Sequence, residues 1–299
     1  MGWLNALPGA AVQGIIWGIM AIGLYITYKV LDLADLTVDG SICTGMAVCA
    51  MMMISGYNVW LAMLAAFAAG LAAGMITGFF HTFFGIPAIL SGILTQLILW
   101  SVNLKILGRA NQALPARNYN VLVTLQRVNE SMLVVLAFVV VIIALLYWFF
   151  GTQFGASIRA TGCNEPMARA QGINTQFTKV FGLALSNGFV ALAGALLAQY
   201  SGKADINDGR GAIVVGLAAI IIGEAIFSRI SSNFIVRLLG VVIGGIIYYA
   251  VYSTVINLGF DTDLLKALSA LVVAVFLGIP YLKRKYFKRP AKKGDRKNA

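Results

Sequence analysis

Residues 131–150 read SMLVVLAFVVVIIALLYWFF and contain no charged side chain. About 20 helical residues, rising 1.5 Å each, cross the roughly 30 Å hydrocarbon core of a bilayer. A water-facing helix of this length would need a polar stripe, and this stretch has none. The stretch therefore predicts a membrane-spanning helix.

Similar apolar runs occur on both sides of this stretch, and together they predict an all-α polytopic membrane protein with about nine transmembrane helices in residues 1–282. The other runs lie at 10–30, 40–56, 59–84, 86–104, 177–200, 212–228, 233–257 and 264–282. The runs at 40–56 and 212–228 are short, which is typical of broken or half-penetrating helices that line a buried or watery space.

The overall composition supports this class and excludes others. Of the 299 residues, 60% are hydrophobic and 11% are charged, whereas soluble domains carry about 25% charged residues. Too few polar groups are present to cover a water-facing surface, which excludes a soluble enzyme and a nucleic-acid-binding domain. With three cysteines and His81 as the single histidine, the sequence offers no metal-ligand pattern.

The net charge of +11 comes mostly from the end of the chain, because residues 283–299 hold nine of the 22 Lys and Arg residues. A basic run after a hydrophobic segment stays in the cytoplasm, next to anionic lipid headgroups. We therefore predict a basic cytoplasmic tail at 283–299. Counting spans backwards makes the loop 151–176 cytoplasmic and the N-terminus extracytoplasmic.

One loop disagrees with this topology. The segment 105–130 falls outside by parity, yet it contains Lys105, Arg109, Arg117 and Arg127. Either this loop contacts an acidic partner outside the cell, or one span is miscounted.

A short internal similarity indicates a duplication. The motif Ala-Asp-Leu at 34–36, followed by Asp-Gly-Ser at 39–41, resembles Ala-Asp-Ile at 204–206, followed by Asp-Gly-Arg at 208–210. By parity the two copies lie toward opposite faces of the membrane, as in an inverted-topology repeat, and transport pathways often run at such repeat interfaces.

Five acidic residues are candidates for the transport pathway or its gate: Asp35, Asp39, Asp205, Asp208 and Glu224. The four aspartates flank the repeated motifs, where they either cap helices or take part in gating. For Glu224 two interpretations stand. It lines the pathway, or the helix ends at Gly223 and Glu224 lies in a wet loop near Arg229.

The predicted cytoplasmic loop 151–176 contains the signals of a short amphipathic helix. Asn164 or Glu165 can cap it, and Pro166 suits its first turn. Glu165 and Arg169 are spaced for an i,i+4 ion pair, and Gly172 can end the helix in a left-handed conformation. Such a helix between two spans is well suited to present one face to a cytoplasmic partner.

This loop, FGASIRATGCNEPMARAQGIN at 154–174, resembles the coupling-helix loop of ABC importer permeases of the branched-chain amino acid/ribose family. Two other stretches resemble segments of the same family, namely DLTVDGS at 35–41 and RGAIVVGLAAIIIG at 210–223. The resemblance extends over residues 10–282.

The resemblance implies a complete import system in the bacterial plasma membrane. Two permease copies would form the pathway, two cytoplasmic ATPase subunits would dock on the coupling loop, and an extracytoplasmic substrate-binding protein would deliver a small solute, in our interpretation an amino acid. The residues implied in ATPase coupling are Arg159, Gly162, Asn164, Glu165, Pro166, Ala168, Arg169 and Gly172.

The chain itself is not expected to be an enzyme or to hold a cofactor. It lacks the G-x-x-x-x-G-K-[ST] phosphate-binding motif, so ATP and Mg²⁺ would bind to the partner ATPase. The alternatives are a permease for sugars or nucleosides, and an ion-coupled secondary transporter. The latter would not explain a partner-directed cytoplasmic helix.

Overall fold

A computed structural model describes residues 2–114, 119, 121–227 and 233–257, together with 270, 274 and 278. The predicted last span at 264–282 lies outside the described residues apart from those three positions. The predicted basic tail at 283–299 lies outside them entirely.

The described chain is built from helices connected by short loops. Its helices are α1 (Gly2–Tyr25, continued by a π-helical segment Ile26–Val30), α2 (Val38–Ile54), α3 (Val59–Thr82), α4 (Ala88–Leu107), α5 (Val128–Gly151), α6 (Gln153–Cys163), α7 (Glu165–Ala170), α8 (Thr175–Ser201), α9 (Ala212–Phe227) and α10 (Phe234–Asn257). Two short strands, β1 (Asn111–Ala113) and β2 (Lys203–Asp205), pair antiparallel, with Asn111 opposite Asp205.

Six helices of the described part are long and apolar enough to cross a membrane: α1, α3, α4, α5, α8 and α10. This confirms a helical polytopic membrane protein. The predicted short runs form α2 with 17 residues and α9 with 16, too short to span alone. The total of nine spans and the internal duplication stay predictions.

Helices α1 and α8 form the centre of the bundle. Their apolar windows are 83% and 78% buried, whereas those of α3, α4 and α5 are buried by only about a third. The outer helices expose large apolar side chains such as Leu64, Leu90 and Leu133, as lipid-facing helices do.

The two ends of the bundle differ. At one end of the bundle, the π-helical segment that continues α1 contacts α6, since Gly162 lies directly against Val30. We call this end the α6–α7 face. At the other end, the opposite face, β1 and β2 join the α4–α5 connection to the α8–α9 connection.

A row of glycines brings α3 against α8. Gly70, Gly74 and Gly78 lie one helical turn apart, and a Cβ at each would collide with the α8 backbone. At Gly74 the collision would involve the carbonyl oxygen of Leu183. Close backbone approach of this kind drives helix association in lipid, where hydrophobic burial contributes little.

We expect Gly74→Leu to destabilise the bundle, because the α8 backbone cannot move aside as a flexible side chain can. Overpacking of this type costs about 1–3 kcal/mol. Thermal unfolding of the detergent-solubilised protein, followed by loss of the monodisperse species, measures the effect. Ala72→Leu on the exposed side of the same helix is the matched control. Equal melting temperatures for the two variants would contradict the packing role of Gly74.

Candidate functional site

Helix α6 packs against α5, α8 and the end of the first span at the α6–α7 face. The Thr152 hydroxyl oxygen caps it by accepting a hydrogen bond from the Gly155 backbone N–H at 3.3 Å. Farther along, the hydroxyls of Thr161 and Thr178 lie 2.9 Å apart, linking α6 to α8. A Cβ on Gly162 would collide with the Val30 carbonyl oxygen, so the glycine allows α6 to touch the end of the first span. The sequence predicted one short helix in this loop, and α6 is a second one that it missed.

Helix α7 has the predicted boundaries. The Asn164 side chain accepts a hydrogen bond from the Met167 backbone N–H at 3.0 Å, and Pro166 occupies the first turn. Gly172 follows the helix with φ of +81°, a left-handed conformation that favours glycine. The predicted cap, first-turn proline and terminating glycine are all confirmed.

The Glu165 carboxylate holds α7 against the first turns of α8. One oxygen accepts from Arg169 Nη2 at 2.7 Å and from the Thr175 hydroxyl at 3.2 Å, and the other accepts from Lys179 Nζ at 2.7 Å. The bond to Lys179 is the main cause that lowers the pKa of Glu165 below its ordinary value. Burial, the next largest cause, raises the pKa, and the smaller effects of Arg169 and Thr175 lower it. Glu165 therefore stays ionised at neutral pH, and the network is present there.

This network contains the predicted ion pair and adds partners on α8. The sequence predicted the pair of Glu165 with Arg169. In the structure the Glu165 carboxylate also binds Lys179 on α8. Glu165 thus positions α7, and its carboxylate already has three internal partners.

The outward side of α7 is small and partly apolar. Met167 is 58% exposed and Pro166 is exposed beside it, while Ala168 is buried against the bundle. The Arg169 side chain is 60% exposed despite its bond to Glu165. Arg159 on α6 is exposed on the same face, and no side-chain partner is recorded for it among the described residues. These exposed side chains are available to contact another protein without any change in the fold of α6 and α7.

Inside the bundle, Asp35 organises the start of α2. One carboxylate oxygen accepts the Thr37 backbone N–H at 2.9 Å, and the other accepts from Asn187 Nδ2 at 2.7 Å. Asn187 Oδ1 in turn accepts from the Ser41 hydroxyl at 2.6 Å. Because Asn187 lies near the middle of the 27-residue α8, helix α2 begins deep within the bundle.

Asp39, in the first turn of α2, caps the other short helix. Its two carboxylate oxygens accept the backbone N–H groups of Gly211 at 3.0 Å and Ile213 at 2.9 Å. The N-terminal ends of α2 and α9 therefore meet inside the bundle. The chain enters this junction from the α6–α7 face before α2 and from the opposite face before α9.

Asp205 is the last residue of β2, and Asp208 lies in the turn that follows and leads to this junction. Asp205 accepts the Asn207 backbone N–H at 2.8 Å, and Lys203 lies 3.3 Å from Asp208. Of the four aspartates, Asp35 and Asp39 accept backbone N–H groups at the starts of helices, whereas Asp205 and Asp208 belong to the strand end and the turn before α9.

Glu224 forms an ion pair with Lys29 at 2.9 Å. Helix α9 continues to Phe227, so the interpretation in which the helix ends at Gly223 is wrong. Arg229, the other element of that interpretation, lies outside the described residues. The pair joins the end of α9 to the π-helical segment that continues α1, near the α6–α7 face.

Sequence reasoning missed several polar residues that organise the interior. Asn187, Lys179 and Lys29 each bind one of the acidic residues described above. Polar side chains within apolar runs are rare and usually face the bundle interior, and that signal was available for Asn187. In the part of the chain that the structure describes, no group of three potential metal-ligating side chains comes together.

Comparison with known proteins identifies relatives over nearly the whole chain. Residues 7–278 match the family described as branched-chain amino acid transport system, permease component. The chain is 35% identical over 274 residues to a tyrosine transport system permease protein of Clostridioides difficile, covering 92% of this chain and 91% of that protein. It is 26% identical to the fructose import permease FruF of Bifidobacterium longum, covering 81% of this chain and 68% of that one.

A solved structure also matches the fold. PsaBC from Streptococcus pneumoniae in complex with Fab aligns with a TM-score of 0.50 and 17% identity, covering 94% of both chains. At this identity the match concerns the fold alone.

We expect Glu165→Gln to loosen α7, because the amide cannot form the charged bonds to Lys179 and Arg169. A loss of about 1 kcal/mol raises the population of the open loop about fivefold. The rate of tryptic cleavage after Arg169, followed by intact mass, measures this opening. Glu130→Gln removes an exposed ion pair with Arg127 elsewhere and serves as the control. Unchanged cleavage in Glu165→Gln would show that the network does not hold the loop.

Proposed function

The chain belongs to the family of permease components of branched-chain amino acid transport systems, and from this membership we propose that it forms the amino acid pathway of an ABC importer as a homodimer. The family consists of transporter permeases of the bacterial plasma membrane, which work with ATPase and substrate-binding partners. The exposed helix α7, firmly attached to the central helix α8, is the observation that carries the proposal for this chain.

In this proposal the α6–α7 face is cytoplasmic and receives the ATPase. Residues Arg159, Gly162, Asn164, Glu165, Pro166, Ala168, Arg169 and Gly172 fall into two groups by their contacts. Gly162, Asn164, Glu165, Ala168 and Gly172 shape and anchor the loop. Arg159, Pro166 and Arg169 are exposed with Met167 and form the contact surface.

The contacts of α7 supply a route for mechanical coupling. A displacement of α7 acts through Glu165 on Lys179 and Thr175 in the first turns of α8. Helix α8 in turn packs against α1, α2 and α3, so a tilt of α8 repacks the centre of the bundle. Interfaces with two discrete packings convert such small shifts into alternating access.

ATP binds to the partner in this proposal, and the permease contributes neither a nucleotide site nor a catalytic group. The N-terminus and the opposite face lie outside the cell, where the substrate-binding protein docks. An amino acid cargo is supported by the tyrosine transport permease among the relatives. A sugar is the second candidate, because a fructose permease is also related.

Mild-detergent purification of the tagged chain from its native membrane tests the assembly. We expect a P-loop ATPase to copurify at about one copy per permease, in a particle containing two of each. Native mass spectrometry gives the stoichiometry. A permease that purifies alone and transports its solute on an ion gradient would overturn the proposal.

The contact surface is tested at Met167. We expect Met167→Glu to abolish copurification of the ATPase and ATP-driven uptake, because it places a charge in a desolvated contact. Met167→Leu preserves the apolar volume and is expected to retain both activities. Since Met167 is exposed, neither variant should alter thermal unfolding. Full uptake by the glutamate variant would remove this residue from the docking surface.

A further inference from the structure

A cavity of about 260 Å³ opens where α2, α4 and the loop before α9 come together. We call it the α2–α4 cavity. Its polar lining comes from Asp39, Gln96, Asn103 and Arg210, and Trp100 forms an apolar wall. Gly40 borders the cavity, and the next residue, Ser41, is bonded to Asn187 near the middle of α8. The cavity therefore extends from the outward side of α4, where Leu97 and Trp100 are exposed, to the level of the middle of α8.

Two hydrogen-bond acceptors face this space. Asn103 is fully buried and its Oδ1 has no hydrogen-bond partner, while its Nδ2 makes only a 3.4 Å bond to the Gly40 carbonyl oxygen. A buried polar atom without a partner is rare in proteins and calls for an explanation. The Asp39 oxygens each accept one backbone N–H and keep further lone pairs.

A positive group lines the same cavity. Arg210 is exposed to the cavity, and within the described part of the chain its guanidinium has neither an ion pair nor a hydrogen bond. Gln96 likewise has no side-chain partner among the described residues. An unpaired guanidinium presents a fork of donors that matches a carboxylate.

We propose that the α2–α4 cavity is a transit site for zwitterionic α-amino acids within the permease. The substrate ammonium donates to Asp39 and Asn103 Oδ1, the substrate carboxylate accepts from Arg210, and the substrate side chain lies along Trp100. A neutral sugar offers no carboxylate to Arg210 and no ammonium group to Asp39. The inference rests on the proposed function and gives its substrate class a physical basis in this chain.

The test uses the complete importer with its partners, in cells lacking the chromosomal copy, with labelled L-tyrosine as the probe. We expect Arg210→Gln and Asn103→Leu each to lower the maximal uptake rate about tenfold, as losing a hydrogen bond to a charged group does. Arg210→Lys should restore part of the rate. Arg109→Gln, on the same side of the bundle but outside the cavity, is the matched control. ATPase copurification should be unchanged in all variants.

The possible results distinguish a failure of the transit site from a failure of the proposed function. If the wild-type importer carries tyrosine and the Arg210 and Asn103 variants carry it at the wild-type rate, the transit site is wrong and the function stands. If the wild-type importer carries labelled fructose instead, the amino acid proposal falls, and the transit site falls with it. Loss of ATPase copurification in both variants would assign them a structural role and overturn the site.

Accessibility provides a readout independent of substrate identity. Leu97 lines the cavity, and Leu133 is exposed on α5, where the outward side chains from Leu133 to Trp148 are apolar or aromatic. During ATP-driven turnover, Leu97→Cys should react with a membrane-impermeant cationic thiol reagent, and Leu133→Cys should not. A Cys163→Ser background removes the exposed native thiol. Equal reactivity at the two positions would overturn the inference that the cavity is a hydrated transit site.

Discussion

The arrangement depends on the requirement that backbone N–H groups inside a membrane protein be satisfied without bulk water. The starts of α2 and α9 meet one another, and the first N–H groups of each need acceptors that the short helices do not supply themselves. Asp35 satisfies the start of α2 and Asp39 satisfies the start of α9, each at about 3 Å. Because Asp39 itself belongs to α2, the first turn of α2 caps the start of α9. A displacement of the N-terminal end of α2 therefore displaces the N-terminal end of α9.

Helix α8 connects this junction to the α6–α7 face. Lys179 near its beginning binds Glu165, and Asn187 near its middle binds Asp35 and Ser41. The remaining sides of α8 are packed by glycine-mediated contacts with α2 and α3, which leave no room for independent side-chain adjustment. A helix held this closely moves as a unit. In the importer that we propose, a force applied to α7 by the ATPase is delivered to the junction of α2 and α9 through this one helix.

The sequence predicted most of the fold because apolar length is a strong signal in membrane proteins. It located the short runs that became α2 and α9, and the caps and glycine of α7, since Asn164, Pro166 and Gly172 act locally. It did not predict α6, whose Gly162 packs against Val30 at the end of the first span, far earlier in the chain. It also did not predict that Asp39 caps a helix 172 residues later in the chain, because nothing local distinguishes such a cap from an ordinary one.

The polar and charged side chains of the bundle differ in whether they have a partner within the described chain. Asp35 and Glu224 each have a specific partner on another element, Asn187 or Lys29, and their contacts account for them. The Oδ1 atom of Asn103 has no hydrogen-bond partner in the described chain, although burying such an atom is unfavourable. Arg210 lines the same cavity and is exposed there, with no ion pair among the described residues. Groups retained without an internal partner in a transport protein are best explained by a partner that passes through. The cargo itself then supplies the missing hydrogen bonds, and it does so only while it crosses the junction of α2 and α9.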